Sequence, residues 1–132
     1  IEFHLVNLAK PLVQSVISDR CILDAFCYTK YLRNAGKVSE KCYDIIKDIY
    51  IQNIPKMDLI FIQSIDGIPL VADKDRIEDH EFRNSVNDIF SIECNRLPSN
   101  VSFHYIHGSL EERVEKILNL IKIESRIREK IT

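Results

Sequence analysis

"DLIFIQ" (58–63) sets four consecutive apolar residues, Leu59 to Ile62, between an aspartate and a glutamine. A run this short, bounded by charge and turn residues, reads as a strand rather than a helix. Its lack of alternation predicts burial on both faces, the habit of strands in parallel sheets. Two further strands are expected, at about 13–18 in "SVISDRCILDAFCY" (15–28) and its upstream neighbours, and in "VSFHYIH" (101–107). The first is short and rich in β-branched residues.

The stretches between these strands have helical spacing. Residues 21–35 form a helix stopped by Gly36, a residue suited to a left-handed cap. Ser39 opens a second helix with Tyr43, Ile46, Ile49 and Tyr50 on one side, which ends at Pro55. A third runs from about Asp79 to Asn95 with Phe82, Val86, Ile89 and Phe90, and Ile92 or Glu93, across its two sides. The last follows Gly108-Ser109, with Leu110, Val114, Ile117, Leu118, Ile121 and Ile127 as an amphipathic face. Ser109 and Glu112 are spaced as a capping box. "SIDGIPLVADKDRIED" (64–79) is the most charged and least regular loop, with Asp66-Gly67 and Pro69 as turn signals. The opening "IEFHLVNLAK" resembles the end of a helix, so the chain is expected to begin mid-domain.

Strands separated by helices predict an α/β fold with a parallel sheet between helical layers, a three-layer αβα arrangement joined by right-handed crossovers. A chain of 132 residues, 45% of them hydrophobic, amounts to one domain. The net charge of −2 and pI near 6.1, with Lys and Arg spread along the chain, give no basic stripe for nucleic acid. No run approaches the ~18 apolar residues of a membrane span. Cys21, Cys27, Cys42 and Cys94 form neither a C-x-x-C nor a zinc-type spacing, and reduced, mostly buried thiols of a cytoplasmic protein are expected. Cys21, at a helix N-terminus, is the one candidate for a lowered pKa. His104 and His107, three apart on a strand, point to opposite faces and do not chelate one metal.

Ligands of open parallel sheets bind beyond the carboxyl ends of the strands. That places Asp19 and Arg20, the charged loop after 63, and Gly108-Ser109 on one candidate edge.

Three blocks in this order resemble the P-loop nucleoside and nucleotide kinases. "DRCILDAFCYTKYL" is similar to their Asp-Arg segment, matching at Asp19, Arg20, Asp24 and Tyr28. "DKDRIEDHEFRNSVNDIF" resembles the lid of the nicotinamide-riboside-kinase-like AAA domains, with Arg76 and Arg83 seven apart, and its "DRIE" is thymidylate-kinase-like. "YIHGSLEERVEKIL" resembles the last strand, glycine loop and helix that border the adenine. The resemblance covers about residues 13–121 and implies a single kinase-like α/β domain over 1–132, truncated at its N-terminus, with a lid at about 64–84.

The phosphate cradle G-x-x-x-x-G-K-[ST] is absent, since the glycines are Gly36, Gly67 and Gly108. Cys21 and Thr29 stand where thymidylate kinases carry an aromatic residue and a Gln. In the related fold the P-loop strand lies between the strands equivalent to 13–18 and 58–63. Those two are therefore expected to pair directly, or to borrow a strand from another copy in a homo-oligomer.

What the resemblance implies is ATP-dependent phosphoryl transfer, with Mg2+, to a small nucleoside- or nucleotide-like acceptor, the P-loop being supplied from elsewhere in a parent protein. Arg20 then contacts substrate or phosphate, and Arg76 and Arg83 close with a mobile lid over the transferred group, a task suited to the planar, permanently charged guanidinium. Asp19 either accepts the acceptor's proton or holds a magnesium-bound water. Asp24 and Tyr28 face the acceptor, and Gly108 and Ser109 the nucleotide.

Plainer readings stand beside these. Asp19 caps the next helix, Arg20 pairs with Asp24 or Asp44, the lid arginines belong to a solvated charge network, and Phe26 and Tyr28 are core. The corresponding function is a non-catalytic nucleotide-binding or protein-interaction module on a kinase-like scaffold.

Overall fold

The computed structural model describes residues 15–64 and 80–131. These form a mixed α/β chain in two compact units.

The first unit holds three helices, α1 (Ile22–Asn34), α2 (Glu40–Asn53) and α3 (His80–Cys94), with a 3-10 turn at Ile54–Lys56. α1 packs against both α2 and α3. Phe26 drives the first contact, its ring stacked 4.3 Å from that of Tyr50 and 6.0 Å from that of Tyr43. Arg33 covers the Tyr43 ring at 3.9 Å, a cation–π contact along the same seam. Leu23 and Cys27 fill the centre, and Val86, Ile89 and Cys94 are the buried apolar residues that α3 adds. The helix ends follow the local chemistry. Gly36 takes the left-handed conformation (φ 71°) just beyond α1, and the Ser39 hydroxyl accepts the Cys42 N–H at 3.1 Å to start α2.

The second unit is a parallel pair, β1 (Leu59–Gln63) and β2 (Ser102–Ile106), with α4 (Leu110–Ile131) after it. Leu59 lies opposite Ser102 and Gln63 opposite Ile106. The ladder is extended at both ends, by Ser102 N–H to the Asp58 carbonyl and by Ser64 N–H to the Ile106 carbonyl.

Three sequence expectations change. Residues 15–18 are not strand, and Ile17 is 83% exposed. Val16 and Ile17 have no strand to pair with among the described residues, whose sheet has two strands, 59–63 pairing with 102–106. β1 is not buried on both faces, since Ile60 is its only fully buried residue. The periodic face of α4 is not a core face, for no residue from Leu110 to Ile127 is fully buried.

Candidate functional site

The Asp-Arg pair forms a bend immediately before α1. Arg20 has φ 74°, a left-handed conformation that costs a residue with a Cβ about 1–2 kcal/mol. The Ser18 hydroxyl donates to the Arg20 carbonyl at 2.7 Å and holds the bend. Cys21 is the N-cap residue, and the Asp24 carboxylate reaches back to accept its N–H at 3.1 Å. Asp24 also lies 3.8 Å from the Arg20 guanidinium, an i,i+4 pair in which the arginine is exposed and the aspartate half-buried. The capping carboxylate is therefore Asp24, which leaves Asp19 exposed on the bend.

One turn further along α1, Tyr28 keeps an exposed edge while its ring stacks on Phe82 at 6.2 Å and meets Phe90 edge-on at 6.2 Å. Tyr31 packs edge-on against Phe82 at 4.8 Å. The α1 segment of the Asp-Arg block and the α3 segment of the lid block thus share an aromatic seam, with Arg83 next to Phe82, half-buried on α3. Phe26 is buried core as expected, whereas Tyr28 straddles core and surface. Arg76 and most of the 64–84 segment lie outside the described residues.

Gly108 and Ser109 belong to the second unit. Gly108 has φ 95°, and a Cβ there would meet the Glu112 side chain. The Ser109 hydroxyl accepts the Glu112 N–H at 3.1 Å, one of the two bonds of the capping box that the spacing predicted. Behind it, Arg113 donates to the Gln63 side chain at 2.7 Å and Lys116 to the Tyr105 carbonyl at 2.8 Å, tying α4 to both strands. His104 lies beside Phe61 on the sheet, with ring centroids 6.2 Å apart.

The thiols correct one expectation. Cys21 does not have a lowered pKa. Burial raises it, the Asp24 charge adds to the rise, and the N–H donors of Leu23 and Asp24 offset only part. Burial lifts Cys94 to about 11 and Cys27 further upward, the Glu93 charge contributing to both. All four cysteines are free, with Cys27 and Cys94 buried and Cys42 exposed.

Sequence reasoning missed the buried polar centre. Glu93 is 4% exposed and accepts from Lys30 Nζ of α1 at 2.6 Å and from Arg96 Nη1 at 3.3 Å. The available signal was a glutamate at the helical spacing of Val86 and Ile89, on a face that otherwise reads as core.

Among the described residues no group of three or more His, Cys, Asp or Glu is arranged to hold a metal ion. Nor is any helix among them long and apolar enough to cross a membrane. No family model, curated protein or solved structure matches the chain.

Proposed function

We propose that this chain supplies the acceptor-side half of an ATP-dependent phosphoryl transfer to a small nucleoside- or nucleotide-like molecule, within a P-loop-kinase-like three-layer αβα fold. The observation that supports it best is the shared seam of α1 and α3. The helix that follows Asp19-Arg20 and the helix that carries Arg83 belong to one packed unit, joined where Tyr28 stacks on Phe82.

In this reading the exposed Arg20 guanidinium and Arg83 place positive charge where negative charge spreads over the transferred group's oxygens. Asp24 holds Arg20 from behind at 3.8 Å. Tyr28 offers its free edge to the acceptor, and Arg76 joins Arg83 in a cytoplasmic kinase's lid. Mg2+ takes most of its ligands from phosphates and water. One exposed carboxylate, Asp19, therefore suits it better than a protein cage would, and when bound the ion neutralises phosphate charge. The phosphate cradle of this reading comes from outside these residues.

The Arg20–Asp24 pair favours a second reading, a non-catalytic nucleotide-binding module, because it gives Arg20 a structural partner within its own helix turn. ATP turnover with a panel of nucleosides and nucleotides separates the two. The kinase reading expects Asp19→Asn and Arg20→Ala each to lower kcat by about 10²-fold or more, by analogy with oxyanion-hole donors. Unchanged turnover in both variants refutes it. ATP binding without turnover leaves the binding module.

A further inference from the structure

Helix α4 leaves one edge of its apolar stripe exposed, at Leu110, Val114 and Leu118. Arg113 bonds to Gln63 and Lys116 to the Tyr105 carbonyl, and Ile117, Leu120 and Ile121 are half-buried on the Arg113 side of the helix. Leu110, Val114, Ile117, Leu118 and Ile121 fall within an arc of about 100° around the helix. Leu110 is 62%, Val114 45% and Leu118 51% exposed.

One flank of this stripe has an ordered charge pattern. Glu111, Glu115, Lys122 and Arg126 lie within about 60° of one another around the helix, all exposed, two acids in the first half and two bases in the second. The pattern is antisymmetric about a point between Leu118 and Asn119, so that reversing the helix exchanges acid for base.

We propose that α4 is a self-association helix, pairing antiparallel with α4 of a second copy through the Leu110–Val114–Leu118–Ile121 stripe. A two-fold axis perpendicular to two antiparallel helices lays each flank against its own reversed copy. Glu111 then faces Arg126 of the second copy and Glu115 faces its Lys122, each pair occurring twice. A parallel pairing would instead set this flank against the opposite one, where Arg113 is already engaged by Gln63. Complementary charge thus selects a second copy of this chain, in one direction. The stripe is one helix wide and about 17 Å long. It is smaller than the ~800 Å² per partner of a typical stable interface, so a micromolar dimer is expected rather than a permanent one.

Sedimentation equilibrium of the whole chain under reducing conditions, across concentration and salt, tests this. A monomer–dimer equilibrium that weakens with added salt is expected. Glu115→Lys turns two attractions into two repulsions and should raise the dimer Kd about tenfold, as should Lys122→Glu. The double variant restores complementary pairs and should return the Kd to within about threefold of the unmodified chain. Leu118→Glu, at the centre, should abolish the dimer. A chain monomeric at about 500 µM, a dimer indifferent to the single substitutions, or a double variant as weak as the singles each overturns the proposal. Circular dichroism confirms that the surface variants stay folded.

Discussion

Replacing Lys30 by Met keeps most of the aliphatic stem and removes only the ammonium that holds Glu93. The wild-type pair spans α1 and α3 at 2.6 Å, with the Lys30 side chain 19% and the Glu93 side chain 5% exposed. Removing one partner of a fully buried pair costs about 3–5 kcal/mol, against about 0–1 for an exposed one. This pair lies near the buried limit. Arg96, at 3.3 Å from the same oxygen but largely exposed itself, retains part of the compensation. The expected loss is therefore about 2–3 kcal/mol, read by urea unfolding as a lower midpoint at constant slope. For a chain of this size it is a Tm lower by roughly 10 °C. Removing both charges, as Lys30→Met with Glu93→Leu, should recover most of the loss, because an apolar pair needs no desolvation. A loss below about 0.5 kcal/mol for Lys30→Met would refute the reasoning, since the pair would then behave as a surface contact.

Three further outcomes follow from particular geometries. Burial raises the thiols of Cys21, Cys27 and Cys94, so from about pH 8.5 the unfolded chain ionises while the folded chain keeps its protons. Stability is then fully present below that pH and falls as pH rises toward about 11, the value for Cys94. Each thiol contributes up to about 1.4 kcal/mol per pH unit, and a urea midpoint constant from pH 8 to 10 would contradict this. Arg20→Gly removes the cost of φ 74° but frees the unfolded backbone and loses the Asp24 pair. Thermal stability should change by less than about 1 kcal/mol while any ATP turnover is lost, and a large fall in Tm would contradict it. Gly108→Ala meets both a φ of 95° and the Glu112 side chain. A loss of about 1–2 kcal/mol, seen as a lower Tm and less helical circular dichroism, is expected, and an unchanged Tm would be inconsistent with that conformation.

Helix limits were the most legible feature because they depend on neighbours in sequence. Ser39 and Ser109 were read as caps and both hydroxyls accept the expected N–H. Gly36 was read as a left-handed stop and has φ 71°. The parallel relation of 59–63 and 102–106 was expected because strands that alternate with helices commonly form parallel sheets. The strand expected at 13–18 was not, because a strand exists only through its partner's ladder. Nothing within "SVIS" says whether a partner is present.

The candidate site divides along the same line. That Asp19-Arg20 ends at a helix start is local and was visible. That Asp24 rather than Asp19 caps α1 depends on which carboxylate is three residues beyond the N-cap, and Cys21, a weak capping residue, concealed where the cap falls. Glu93 was hidden by a deeper ambiguity. A glutamate on an apolar face is written identically whether it ends the face or is buried in it, and only Lys30, 63 residues away, decides between them. α4 presents the reverse case, in which periodicity correctly gave an amphipathic helix but not the location of its cover. Arg113 and Lys116 bond to the strands, while Leu110, Val114 and Leu118 stay exposed. An apolar stripe in sequence therefore states that something must be excluded from water, and the charges beside it state what can do so. In α4 those charges, Glu111 and Glu115 followed by Lys122 and Arg126, complement their own reversal.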